Sequence, residues 1–240
     1  MATYVGLPLQ IRNLVVAFED GAGMRRTVLD IPAFDLDGTR QLALCGASGA
    51  GKTTLLHLLA GIEAPRRGSI RWGEVEVTAL RGRPLDRWRR LTVGLVFQQF
   101  HLFPRLSALE NVVLPARFDH CRLAAETASR AHDLLRRVGV DPGRGVYSLS
   151  RGEMQRVAVA RALVQRPAIV LADEPTASLD AASAQETLAL LATLCRDHRA
   201  TLIVATHDQG LARTLDQRID ISCQRLVEAP AAGAAVALAQ

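Results

Sequence analysis

At 240 residues, with 49% hydrophobic and 22% charged side chains, the chain is long enough to bury one sizeable α/β domain and too short to be a complete membrane transporter. Its formal charge of +5 is small and spread out, which argues against a nucleic-acid partner, and Cys45, Cys121, Cys195 and Cys223 form no CxxC pair, which excludes a zinc site or dense disulfide framework of the usual spacing. No signal-like pattern opens the sequence and no apolar run reaches the roughly 20 residues that cross a bilayer, so a reduced, cytoplasmic chain is expected, with any membrane role carried by a separate partner.

In chain order, β-like runs over Leu9 to Phe18 and Val28 to Leu36 lead to a buried strand, Gln41 to Cys45, which ends at a glycine-rich turn. A helix follows from Lys52 to about Ala60, with Gly61 placed to end it. Ser69 to Thr78 reads as an edge hairpin strand, and Val93 to Phe97 as a buried one. The basic cluster Arg87, Arg89 and Arg90 reads as a solvated face. From Gln98 to Gln165 helical periods are separated by Pro104, Pro115 and Asp141-Pro142-Gly143, the pattern of a helical insert. The α/β alternation then resumes with a strand over Ala168 to Asp173, a helix over Ala181 to His198 and a strand over Thr201 to Thr206. Continuous apolar strands alternating with helices predict a largely parallel sheet covered on both faces, with ligands at the carboxyl ends of its strands. The alanine-rich stretch 229–240 is expected to be a disordered tail.

Two features carry chemistry. Gly46-Ala47-Ser48-Gly49-Ala50-Gly51-Lys52-Thr53 matches the phosphate-loop pattern in its required context of strand, turn and helix. Glycines there let successive N–H groups face phosphates, and the helix opening at Lys52 points its positive end at them. Lys52, the only lysine in a chain whose other basic residues are arginines, supplies a compact ammonium for the β- and γ-phosphates, and Thr53 a hydroxyl for Mg²⁺. The second feature is Ile169-Val170-Leu171-Ala172-Asp173-Glu174, with adjacent carboxylates at the mouth of a buried strand: Asp173 to hold the magnesium shell, Glu174 to polarise the attacking water as general base. To this point any phosphate-loop ATPase fits, including a small-molecule kinase.

Leu149-Ser150-Arg151-Gly152-Glu153, followed by Met154-Gln155-Arg156-Val157-Ala158-Val159-Ala160-Arg161-Ala162-Leu163, resembles the signature of the ABC (ATP-binding cassette) class, and the likeness covers almost the whole chain apart from its tail. The resemblance implies an α/β P-loop NTPase (RecA-like) core with an antiparallel β edge and an inserted helical subdomain: one ABC ATPase domain over 1–228, its core 1–97 and 166–228 and its helical insert about 98–165. It implies an ATPase, with ATP and Mg²⁺ as cofactors. Gln98 becomes a glutamine that senses the γ-phosphate and contributes to the metal shell, His207 a switch histidine, and Ser178-Leu179-Asp180 the D-loop. Phe18 takes the position that stacks on adenine, and Thr54 joins the phosphate loop in holding nucleotide. Ser150 and Gly152 would reach the γ-phosphate on a second copy, so a head-to-tail homodimer is implied.

Arg151 departs from the family pattern by replacing the first signature glycine. If that glycine's dihedral angles are required, a side chain there costs on the order of 1–3 kcal/mol; alternatively the guanidinium meets a phosphate oxygen. Slower but real turnover is expected. Within the class, Gly94 to Leu106, Ala108 to Val112 and Leu171 to Thr176 look like the lipoprotein-releasing, macrolide-exporter and FtsE-type branch, although Arg144 to Ser148 lacks its usual His-x-Pro. That branch implies a membrane permease of FtsX/MacB type, seated over Gln98 to Leu106, and a peripheral place on the inner face of the cell membrane. An importer ATPase, or an ABC ATPase acting on ribosomes or DNA, remains as the alternative.

Overall fold

A computed structural model describes residues 5–19, 25–117 and 124–228; the expected tail over 229–240, with His120 and Cys121, lies outside them. Two long N-terminal strands, β1 (Leu9–Glu19) and β2 (Arg25–Leu36), pair antiparallel, and β4 (Arg67–Trp72) with the short β5 (Val75–Glu76) extends the sheet on the other side of β1. The run Ser69 to Thr78, expected as one strand, is thus broken at a turn around Gly73 and ends in a 3₁₀ turn over Val77–Ala79. Trp72 falls with Ile70 on the buried face of β4, and its Nε1 donates to the Leu59 carbonyl at 3.0 Å.

The second sheet has the order β10-β9-β3-β8-β7-β6, built from β3 (Gln41–Cys45), β6 (Val93–Val96), β7 (Ile169–Asp173), β8 (Thr201–Ala205), β9 (Gln217–Ser222) and β10 (Arg225–Glu228). Its strands are parallel except for the β9–β10 hairpin, which the sequence reading did not anticipate. Strand side chains alternate between faces. On one face Leu42, Leu44, Ile169, Leu171 and Ile203 pack with helix α1 (Lys52–Leu59) and the antiparallel sheet. On the other, Ala43, Val170, Ala172, Leu202 and Val204 pack with α3 (Ala108–Arg117), α4 (Ala125–Arg137), α5 (Arg151–Leu163) and α6 (Ala181–Asp197). Burial on both faces is why these strands read as continuous apolar runs.

The arginine cluster falls on α2 (Gly82–Thr92), a helix with no buried residue. Pro115 does not end a helix as expected; it lies inside α3. Two helices open on matched capping boxes. Ser107 and Glu110 bond each other's backbone at α3, and Ser150 and Glu153 do so at α5, satisfying donors that each helix start would otherwise leave bare. No helix among the described residues is long and apolar enough to cross a membrane.

Candidate active site

Parallel register brings the site together. Leu44 on β3 and Asp173 on β7 both lie opposite Ala205 on β8, so the loops leaving these three strands emerge side by side. The loop after β3 runs from Gly46 to Gly51, where φ is 102° and an added Cβ would meet Val28 Cγ1 at 3.0 Å. Only glycine takes that turn cheaply, and α1 starts directly after it with no side-chain cap, leaving its first N–H groups turned to the loop.

Lys52 is nearly buried, and its Nζ donates to the carbonyls of Gly46 at 2.9 Å and Ala47 at 3.3 Å while standing 3.4 Å from Glu174 Oε1. Glu174 in turn bonds His207 Nδ1 through Oε2 at 2.8 Å. Glu174 sits at φ 44°, in the left-handed region that a side chain rarely occupies, pinned by its N–H donating to the Ala205 carbonyl at 2.9 Å. Such strain is held in place by its surroundings and aims the carboxylate across to the phosphate loop instead of along the strand.

These groups line a cavity of about 600 Å³ with Phe18, Val28, Ser48, Gly49, Gly51, Thr53, Thr54, Gln98 and Ala177. Phe18 is 48% exposed, so its ring has a free face. Ala50 borders the adjoining hollow, and Gly46 and Ala47 contribute through their carbonyls. Asp173 lies just behind the wall. Burial raises its pKa, a hydrogen bond with the Thr53 hydroxyl opposes the rise, and Oδ1 is buried with no partner. A buried, unpaired carboxylate oxygen beside a threonine hydroxyl is a donor set that suits Mg²⁺. Ser178 of the predicted D-loop reaches back, its Oγ 3.5 Å from the Gln98 carbonyl.

Ser150 and Gly152 stand at the start of α5 and line neither hollow. Arg151 is exposed and is not among the residues with positive φ, so the condition under which a side chain there would be strained is not met: the position is the first turn of an ordinary helix. Sequence reasoning missed Val28 and Ala177 in the wall and the left-handed Glu174; it also missed both capping boxes, although Ser-x-x-Glu at 107–110 and 150–153 was the signal for them.

A nucleotide-sized cavity, a cationic phosphate loop and a carboxylate held against it define a phosphate-loop ATPase. Residues 29–177 match the family described as ABC transporter, and the chain belongs to that family. It is similar to the lipoprotein-releasing system ATP-binding protein LolD of Syntrophotalea carbinolica, at 38% identity over 224 residues, covering 91% of this chain and 96% of the relative. The protein of the same name from Idiomarina loihiensis is 40% identical over 215 residues, covering 89% and 93%. Among solved structures, the dimeric ATP-binding cassette MJ0796, in a post-hydrolysis state bound to ADP and Pi, superposes with a TM-score of 0.79 at 31% identity, covering 91% of this chain and 96% of that one. The chain is therefore an ABC transporter ATPase subunit.

Proposed function

We propose that two copies of this chain close head-to-tail on two ATP molecules and drive a separate membrane subunit, for export or release of a lipoprotein, peptide or amphiphile. The observation that carries this reading is the split of its parts: Lys52, Glu174 and His207 share one cavity, while the signature lies outside it. Lys52 exchanges the Gly46 and Ala47 carbonyls for the β- and γ-phosphates. Gln98 and His207 border the γ-phosphate, and Phe18 stacks on adenine. Glu174 takes a proton from water as the water oxygen attacks phosphorus and the bond to ADP breaks. Thr53 and Asp173, with Gln98, would hold Mg²⁺, which supplies positive charge to the phosphates when bound.

The signature residues are suited to a ligand from outside their own chain. Ser150 Oγ accepts from the Glu153 N–H at 3.2 Å and stands exposed at the start of the helix, within reach of a group brought by a partner. Gly152 has room for a side chain within its own fold, since an added Cβ would come no closer than 3.5 Å to Arg156 Nη1, so the absence of one serves an approaching partner. A cleft of about 780 Å³ between α2, the Gln98–Phe103 segment and α3 would receive the permease, of FtsX/MacB type, at the inner face of the cell membrane, with residues 98–165 acting as a helical subdomain. The LolD relatives favour lipoprotein release among the possible cargoes. Nucleic acid has no part in this reading.

Trapping a tagged Glu174→Gln chain with ATP in cells of its source, followed by gentle solubilisation, tests the proposal. Stoichiometric recovery of a few-helix membrane protein with a large extracytoplasmic domain supports it. A many-helix permease would indicate a conventional importer or exporter, and ribosomes or DNA without any membrane protein would overturn the transport role.

A further inference from the structure

Residues 97–107, between β6 and α3, carry no regular helix or strand, yet their backbone is gripped from two helices. Arg161, near the C-terminal end of α5, donates through Nη1 to the His101 carbonyl at 2.6 Å and through Nη2 to the Phe100 carbonyl at 2.7 Å. Burial alone pushes its pKa below the usual arginine value, with no carboxylate opposing the shift. A guanidinium that gives up hydration for two neutral carbonyls gains little stability from the exchange, but its planar fork fixes both acceptors at once. Asn111, fully buried on α3, accepts from the Phe103 N–H at 2.7 Å and donates to the carbonyls of Phe103 at 3.2 Å and Ser107 at 3.0 Å. His101 is held at φ 46°, its ring edge-on to Phe97 with centroids 5.2 Å apart.

The gripped segment touches two places at once. Gln98, two positions before Phe100, lines the nucleotide cavity, whereas His101, Phe103 and Arg161 line the large cleft. Ser150 caps the opposite end of α5, whose 13 residues span roughly 20 Å as one rigid rod. We infer that Arg161 is a positioning residue that fastens the Gln98–Phe103 backbone to α5, so that displacement of α5 on meeting nucleotide at Ser150 is delivered both to Gln98 and to the cleft wall. The inference rests on the ATP-site reading above and adds to it the joint through which that site reaches the cleft. Lysine replaces arginine only in part here, because one ammonium does not hold two carbonyls in a fixed plane.

Hydrogen exchange on the Glu174→Gln chain, with and without ATP and Mg²⁺, tests the joint. ATP should slow exchange over 46–54 and, by about tenfold or more, over 98–107. Adding Arg161→Met should leave protection of 46–54 within about threefold and abolish the response of 98–107, with Arg161→Lys intermediate. In the chain with native Glu174, Arg161→Met should lower kcat by about tenfold while KM changes less than about threefold. An undiminished response of 98–107 to ATP in the Arg161→Met chain, or an unchanged kcat, would overturn the inference. Should that variant not fold, Arg161→Lys, which keeps the charge, decides by the same readout. Absence of ATP protection over 46–54 in the Glu174→Gln chain itself would instead overturn the site reading, and the inference with it.

Discussion

Replacing Arg151 by alanine in one variant and by glycine in another removes the same guanidinium from the start of α5, so any effect of charge on the helix dipole cancels between the two. What remains is the backbone preference of that position. Arg151 is the first residue of α5 and has no positive φ, so the glycine cost of roughly 0.5–1 kcal/mol relative to alanine in a helix interior is an upper bound there. For a domain of this size each kcal/mol moves the melting temperature by roughly 2–4 °C, so the glycine variant should melt below the alanine variant by up to about 4 °C. Thermal unfolding followed by circular dichroism, without nucleotide, measures the difference. A glycine variant that melts above its alanine counterpart would refute the reasoning, because only a position that needs left-handed dihedrals rewards glycine in that way. With strain removed as a cause, a turnover difference between Arg151→Gly and the unaltered chain beyond what the stability change explains tests the proposed contact of the guanidinium with nucleotide held by a second copy.

Lys52→Ala removes the cation between the phosphate loop and Glu174 and should weaken ATP binding by roughly a hundredfold or more, the value of two charge-assisted contacts; unchanged titration with a fluorescent ATP analogue would dismiss the assigned role. The Ser150 N–H holds the Glu153 carboxyl below its usual range; burial opposes it, and the Ser150 hydroxyl and the Arg144 guanidinium add to the depression. A carboxyl with a depressed folded pKa stabilises fully above its unfolded value of about 4.3 and loses that contribution as pH falls through the folded one. Melting temperature should therefore drop below about pH 4, and Glu153→Gln should flatten that acid limb; an identical limb in the variant would show that the capping box does not titrate there. Ser150→Ala, which removes the cap itself, should cost about 1 kcal/mol in urea unfolding of the isolated chain, and no loss would mean the box is not formed in solution.

The cleft gathers its lining from elements far apart in the chain, and the same holds for the Arg161 and Asn111 grips. In the sequence Arg161 is one arginine in a helical run and Asn111 one polar residue among apolar neighbours. Nothing local announces that both close on the same irregular segment. The hairpin of β9 and β10 went unread for a related reason: its strands are short and polar toward the edge, and β9 becomes a strand by pairing with β3 and β10 by pairing with β9, not by their own pattern. Pro115 read as a stop because proline lacks a helical donor, but packing of α3 against α5 keeps the helix running through it.

By itself the sequence determined whatever depends on contiguous residues. The phosphate loop needs only a strand, a turn that glycine alone can take and a helix start, all within Gln41 to Leu59. The buried parallel strands declare themselves by apolar runs because both faces are covered. Tertiary structure alone decided that Glu174 would meet Lys52 and His207, since three loops become neighbours only through the shared register of β3, β8 and β7. It also decided that Arg151 carries no strain, because dihedral angles follow from where α5 begins, and that in turn is fixed by the cap of Ser150 and Glu153 rather than by the identity of residue 151.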